Sequence, residues 1–316
     1  MSRNIVIGID TSNYTTSVAL LDESGELIAN LKRPLPVKTG ERGLRQSDAL
    51  FAHTINIPDL MAEAEQYIKG ANILAVGVSE KPRNVEGSYM PCFLAGVSVA
   101  TGISATSGAP LYRVSHQCGH IMAALYSSGK LELADKSFVA FHVSGGTTEM
   151  LSVSPATMGF STEIIGGTKD LNAGQVIDRI GVRMGFPFPA GRYIEESAAK
   201  NTEKIPKRKL SIDGCYVNLS GLENMAADLY ERSGDESLTS AFVLDYVGRV
   251  LTTMSECYES EHGSVPFVYA GGVMSNGIIK KMLSEGREAY FAEPAMSADN
   301  AVGVAVLALK AYKSEK

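Results

Sequence analysis

Cysteine is scarce and scattered in this chain. Cys92, Cys118, Cys215 and Cys257 form no CxxC pair, so they read as reduced thiols of a cytoplasmic protein rather than a disulfide framework. No run of about eighteen apolar residues occurs, which predicts no membrane span. The opening "MSRNIVIGID" enters a strand-like run at once. It lacks the basic segment and long apolar stretch of a secretory leader. An HExxH pair is missing, as is any serine or cysteine in a convincing nucleophile setting, so peptidase chemistry has no support. Positive charge is also in short supply. A net charge of -6 argues against wholesale coating of nucleic acid, which needs a strongly basic face. One local patch, "KIPKRK" from Lys204 to Lys209, reads either as a basic contact or as a solvated loop.

What the chain does have is core material. Its 316 residues are 45% apolar and 20% charged, which predicts an ordinary globular protein of two domains. "NIVIGID", "TTSVALLD" and "LIANLKR" read as three strands in a meander. Residues 54–69 read as a helix with a proline near its first turn, and "ILAVGVSE" as a further strand. The plan repeats in "SFVAFHVSGG", "TTEMLSVSP" and "GFSTEIIGG". Helices and single strands follow each meander. Two related α/β domains with a cleft between them are therefore expected. Glycine-rich or polar turns between the first two strands of each copy can offer backbone N–H groups to phosphates.

Two of the five histidines fall in "VSHQCGH". If this segment starts a helix, His116 and His120 share one face and could hold one cation, while Cys118 points away. As a strand, all three would share a face. Helix formers after His120 favour the helix. Histidine pairs on helices are also common as plain polar surface. A metal would need a further ligand, naturally a carboxylate. Asp299 in "SADNAV" is a candidate, with a helix N-cap as the plain alternative. "VSGGTT", Val143 to Thr148, is a phosphate cradle or a hairpin turn. "YAGGVMSN" repeats the idea with Gly271, Gly272 and Asn276. Asp170 and Asp178 in "DLNAGQVIDR" could bind ribose hydroxyls or simply be solvated.

The order of these pieces is more specific than any one. "GIDTS", "VSHQCGH", "VSGGTT", "AGQVIDR" with "FPAG", "NLSGLEN", "AGGVMSN" and "SADN" run in sequence over roughly residues 4–312. In this the chain resembles the tRNA threonylcarbamoyltransferase family, TsaD in bacteria, once called O-sialoglycoprotein endopeptidases. The resemblance implies an α/β, actin-like fold of the sugar kinase and Hsp70-type ATPase kind, with two duplicated domains around a nucleotide- and metal-binding cleft. The expected division is 1–133 plus 297–316, and 134–296. It implies one divalent metal ion, Fe2+ or Zn2+, on His116, His120 and Asp299. It implies substrate or nucleotide contacts at Val143, Ser144, Gly145, Gly146, Thr147, Asp178, Gly191, Gly271, Gly272 and Asn276. The implied reaction moves a threonylcarbamoyl group from threonylcarbamoyl-AMP to N6 of adenosine 37 in tRNA. TsaB-like and TsaE-like protein partners would accompany it, and no membrane. The metal and positioning would suffice for an activated carbamoyl donor without a covalent nucleophile.

The chain departs from the family at named places. Tyr14 and Thr15 replace an acidic pair, Thr147 replaces a histidine, Gln175 a glutamate, and Glu223 stands for a lysine. In "RGLRQSDALFAH" only Gly43, Ala49 and His53 match. These departures mark a divergent paralogue and leave a non-tRNA acceptor, or a non-catalytic partner subunit, as alternatives.

Overall fold

A computed structural model describes residues 3–12, 14–36, 44–297 and 299–316. The elements run β1 (Asn4–Ser12), β2 (Thr15–Asp22), β3 (Leu27–Pro34), α1 (Gln46–Ile68), β4 (Asn72–Lys81), α2 (Phe93–Ser107), β5 (Leu111–Ser115) and α3 (His116–Ser127). Then come β6 (Phe138–Val143), β7 (Thr148–Ala156), β8 (Gly159–Thr168), α4 (Ala173–Arg183), α5 (Gly191–Ala198), β9 (Ile212–Asp213), β10 (Tyr216–Val217), α6 (Ser220–Ser233) and α7 (Glu236–His262). The chain closes with β11 (Phe267–Ala270), α8 (Gly277–Ser284), β12 (Ala289–Phe291), the single turn α9 (Pro294–Ser297) and α10 (Val302–Ser314). No helix among the described residues is long and apolar enough to cross a membrane.

The chain divides into two compact units. One comprises residues 1–135, 155–161 and 295–316; the other comprises 136–154 and 162–294. The first holds a five-stranded sheet of order β3-β2-β1-β4-β5, and the second a seven-stranded sheet of order β12-β11-β6-β7-β8-β10-β9. Reading β8-β7-β6-β11-β12 beside β3-β2-β1-β4-β5 exposes the duplication. In both, a meander is followed by parallel strands added at its first strand. The repeated sequence pattern predicts the two meanders with α/β material after each, but not the strand order. The β9–β10 pair at the far edge has no counterpart in the first sheet and was not expected.

In the first unit, strand alternation sends Ile5, Ile7 and Ile9 to one face, into a cluster with Val18, Leu20, Leu60 and Ala64. The opposite face of β1 meets the last helix. A Cβ on Gly8 would lie 2.5 Å from the Ala301 carbonyl oxygen, so only glycine allows that approach. α3 and α10 also cross backbone to backbone. A Cβ on Gly303 would fall 1.9 Å from the carbonyl oxygen of Gly119. This crossing sets the residues just beside it, His120 and Asp299, at a short distance.

Two expected element starts differ. α1 begins at Gln46, eight residues before the expected start, with Pro58 in its interior. Its buried stripe of Ala49, His53, Ile57, Leu60 and Ala64 is continuous. Burying that stripe outweighs the one backbone hydrogen bond that Pro58 removes, a cost of about 3 kcal/mol. The last helix begins at Val302 with Ala301 as its N-cap, not at Asp299, and Asn300 Oδ1 accepts the Val302 N–H at 3.0 Å.

Candidate functional site

α3 starts directly from β5. The Ser115 side chain caps it, its hydroxyl accepting the Cys118 N–H at 3.2 Å. On this helix His116 and His120 lie one turn apart with ring centroids 4.3 Å from each other, edge to face. Cys118 is turned into the packing. Its sulfur meets the Phe160 backbone at 3.4 Å and the Asn84 carboxamide at 3.2 Å. A cysteine–histidine catalytic pair is therefore not formed here. Asp299 Oδ1 lies 3.0 Å from His120 Nε2 and 3.7 Å from His116 Nε2. One ligand atom from each of His116, His120 and Asp299 lies within 4.8 Å of the others. Two imidazoles and one carboxylate at that spacing are a donor set suited to a divalent first-row metal.

A fourth group stands behind the first histidine. The Asp10 carboxylate is fully buried at the end of β1. It accepts from His116 Nδ1 at 3.0 Å, from the Ser79 hydroxyl and from the Ser12 N–H at 3.3 Å. An ionised carboxylate only accepts, so Nδ1 carries the hydrogen and Nε2 is left to face Asp299. Burial alone would lower the His116 pKa, but the charge and hydrogen bond of Asp10, with the charge of Asp299, push it up to about 9. Burial works to raise the Asp10 pKa, yet His116 and Ser79 hold it below the usual carboxylate value. A cation bound here would take the place of a proton held between two carboxylates.

Asp10 lies in "GIDTS", and its local sequence assigns it no role. The available signal was a carboxylate inside the otherwise apolar run "NIVIGID". His53, a family match, is a different case. It is fully buried and bonds Thr16 Oγ1 at 2.8 Å, which also accepts from the Asn56 carboxamide at 3.2 Å. Burial lowers its pKa. It ties α1 to β2 as a neutral imidazole. Gly43 lies outside the described residues.

The second unit contains a cavity of about 410 Å³. Of the expected substrate residues it is lined by Gly145, Asp178, Gly191, Gly272 and Asn276. The neighbouring parallel strands β6 and β11 both end here in glycine turns, the usual ligand-facing edge of an α/β sheet. Val143, Ser144, Gly146, Thr147 and Gly271 do not line it. "VSGGTT" is the hairpin turn between β6 and β7, and the Ser144 hydroxyl accepts the N–H groups of Gly146 and Thr147 at 3.2 and 3.1 Å. Those two donors are thereby used within the turn. Gly271, at φ +101°, is wedged against the fully buried Val143. A Cβ there would sit 2.3 Å from the Val143 carbonyl oxygen.

Three carboxylates and one amide are committed around the cavity and its helices. Asp178 Oδ1 accepts the Ala190 N–H at 2.8 Å, tying α4 to the turn before α5. Asn276 Oδ1 caps α8 by accepting the Ile279 N–H at 3.0 Å. Glu195, a lining residue that sequence reasoning missed, accepts the Gly277 N–H at 2.7 Å. Asp170 lies outside the cavity. It accepts from the backbone of Leu219 and Ser220 at the start of α6. Burial opposes its charge, but these donors and the Ser220 hydroxyl lower its pKa to about 2.

The family described as "tRNA N6-adenosine threonylcarbamoyltransferase", TsaD, matches residues 38–306. A relative of that name from Streptococcus suis is 28% identical over 331 aligned positions, covering 100% of this chain and 94% of the relative. Among solved structures, component A of (R)-2-hydroxyglutaryl-CoA dehydratase from Acidaminococcus fermentans aligns with a TM-score of 0.55 at 15% identity. It covers 98% of this chain and 99% of that one. A ROK family glucokinase from Streptomyces griseus aligns with a TM-score of 0.51 at 13% identity, covering 97% and 99%. Together with the duplicated sheet order, these likenesses make the fold an actin-like α/β fold.

Proposed function

Because the chain belongs to the tRNA N6-adenosine threonylcarbamoyltransferase family, a family of transferases, we propose that it moves a threonylcarbamoyl group from threonylcarbamoyl-AMP to N6 of adenosine 37 in tRNA. In this reading a divalent metal, Fe2+ or Zn2+, is held by His116, His120 and Asp299. The observation that carries it is the convergence of these three residues, two from α3 and one from 179 positions further on, beside a buried carboxylate that orients the first of them.

A metal on those ligands supplies Lewis-acid polarisation of the donor carbonyl. The residues of the chain do the rest. Asp10 keeps the proton of His116 on Nδ1. Gly145, Gly191 and Gly272 leave room in the second unit for the adenylate part of the donor, beside Asp178 and Asn276. The amine of the acceptor forms the new C–N bond, the carbonyl-to-phosphate C–O bond breaks, and AMP leaves as the amine gives up a proton. No side-chain nucleophile enters. TsaB-like and TsaE-like partners and a cytoplasmic setting belong to the same reading.

A non-tRNA acceptor is a second reading, favoured by Tyr14 and Thr15 where the family has acids and by Glu223, here paired with Arg179 at 3.0 Å. The test is transfer of radiolabelled threonylcarbamoyl to unmodified tRNA by the purified protein with its partners. Labelled tRNA that disappears with His116→Ala supports the first reading. Wild-type protein that binds metal but leaves the tRNA unlabelled contradicts it and favours the second.

A further inference from the structure

The basic patch noted in the sequence has a defined structure. Residues 199–211 form an irregular segment between α5 and β9. It carries Lys200, Lys204, Lys207, Arg208 and Lys209 against one acid, Glu203, a net +4 in a chain of net -6. All five cations are exposed. A solvated loop of this composition would be expected to lie loose. This one is tied down. Ile205 and Leu210 pack against the core of the second unit. The Arg249 guanidinium donates to the Arg208 carbonyl at 2.8 Å, and the Tyr246 hydroxyl bonds both the Lys209 carbonyl and the Ser211 N–H. Both anchors come from α7.

The charges are not used up by the anchoring. Lys207 pairs with Asp245 at 2.7 Å, and the same carboxylate also holds Arg249. Among the described residues, no carboxylate lies within ion-pair distance of Lys200, Lys204, Arg208 or Lys209. Holding a backbone rigid while leaving its cations unneutralised and solvated gives no net stability, since like charges so close repel. It suits a polyanion that arrives from solution. From residue 204 to 209 an extended chain spans about 17 Å, long enough to meet several charges in a row. Base reading is not implied, because flexible lysines that track a backbone position a nucleic acid without specifying its sequence.

We propose that this segment, through Lys204, Arg208 and Lys209, is a phosphate-backbone contact for the tRNA acceptor. The inference rests on the tRNA reading above. It places the contact on the second unit, on a segment outside the cavity and the histidine cluster, and it reconciles an acidic protein with an RNA substrate. Neutralising an RNA phosphate releases condensed counterions, so each contact adds to the salt dependence of binding.

The test measures binding of unmodified tRNA to the full-length protein between 50 and 300 mM KCl. Wild type is compared with Lys204→Gln/Arg208→Gln/Lys209→Gln. A control, Lys69→Gln/Lys136→Gln/Lys313→Gln, changes the net charge equally at other exposed sites. The segment variant is expected to bind roughly 10-fold or more weakly near 0.1 M salt, with the slope of log K against log salt reduced by about 2–3. The control should change neither. Equal behaviour of the segment variant and wild type overturns the proposal, and so does an equal loss in the control. Wild type that binds no tRNA at all overturns the tRNA reading beneath it, a result distinct from the first two.

Discussion

At the scale of single residues, the arrangement turns on Asp10. Its carboxylate does not need to touch a metal to matter. It fixes which nitrogen of His116 carries the hydrogen, and Ser79 and Ser12 fix the carboxylate in turn. An amide in its place can present the wrong atom to Nδ1 and loses the charge that supports a cationic site. Asp10→Asn is expected to weaken metal binding about 10- to 100-fold. The absorption spectrum of the Co2+-substituted protein should shift as the ligand geometry loosens. Asp10→Glu should recover part of the affinity. A variant that binds metal like wild type would remove Asp10 from the site. The proposed ligands were singled out in the sequence, His116 and His120 by their i,i+4 spacing and Asp299 by the order of motifs. Asp10 was not, because its partner lies 106 positions away and only the fold brings the end of β1 beside the start of α3. Glu195 escaped for the same reason, since its contact is with the first residue of α8, 82 positions on.

At the scale of elements, the site depends on how closely α3 and α10 approach. In an exposed helix, replacing glycine with alanine stabilises by up to about 1 kcal/mol. At Gly303 the added methyl would fall 1.9 Å from the Gly119 carbonyl oxygen. The overlap costs about 1–3 kcal/mol and can be relieved only by moving the helices apart. Gly303→Ala is therefore expected to lower the melting temperature by several degrees and to weaken metal binding as well. Gly102→Ala, in an exposed stretch of α2 with nothing within 4 Å of its added methyl, should raise the melting temperature slightly and leave metal binding unchanged. Equal stability of the two variants would contradict the account of the crossing. Strand alternation and small-residue helices could be read directly from the chain. The true start of α1 could not, because Pro58 imitates a first-turn proline while a buried stripe carries the helix through it.

At the scale of the whole molecule, the duplicated meander was visible in the sequence because each copy repeats strand, turn and strand in the same order. The addition of the later parallel strands at β1 and β6 was not visible there, since it rests on pairings between strands far apart in the chain. The two copies then diverge in content. The first carries imidazoles and carboxylates, and the second carries glycine turns around a cavity. Spacing alone left the histidines open between metal ligands and polar surface, since nothing local in the sequence ties α3 to the residues before α10. The central claim is that His116, His120 and Asp299 hold a divalent ion. Metal content per chain, measured on protein purified without chelator, tests it most directly. The account predicts close to one Fe2+ or Zn2+ per wild-type chain and its loss in both His120→Ala and Asp299→Ala, with unchanged circular dichroism. Wild-type protein without metal, or both variants retaining the wild-type amount, would contradict it.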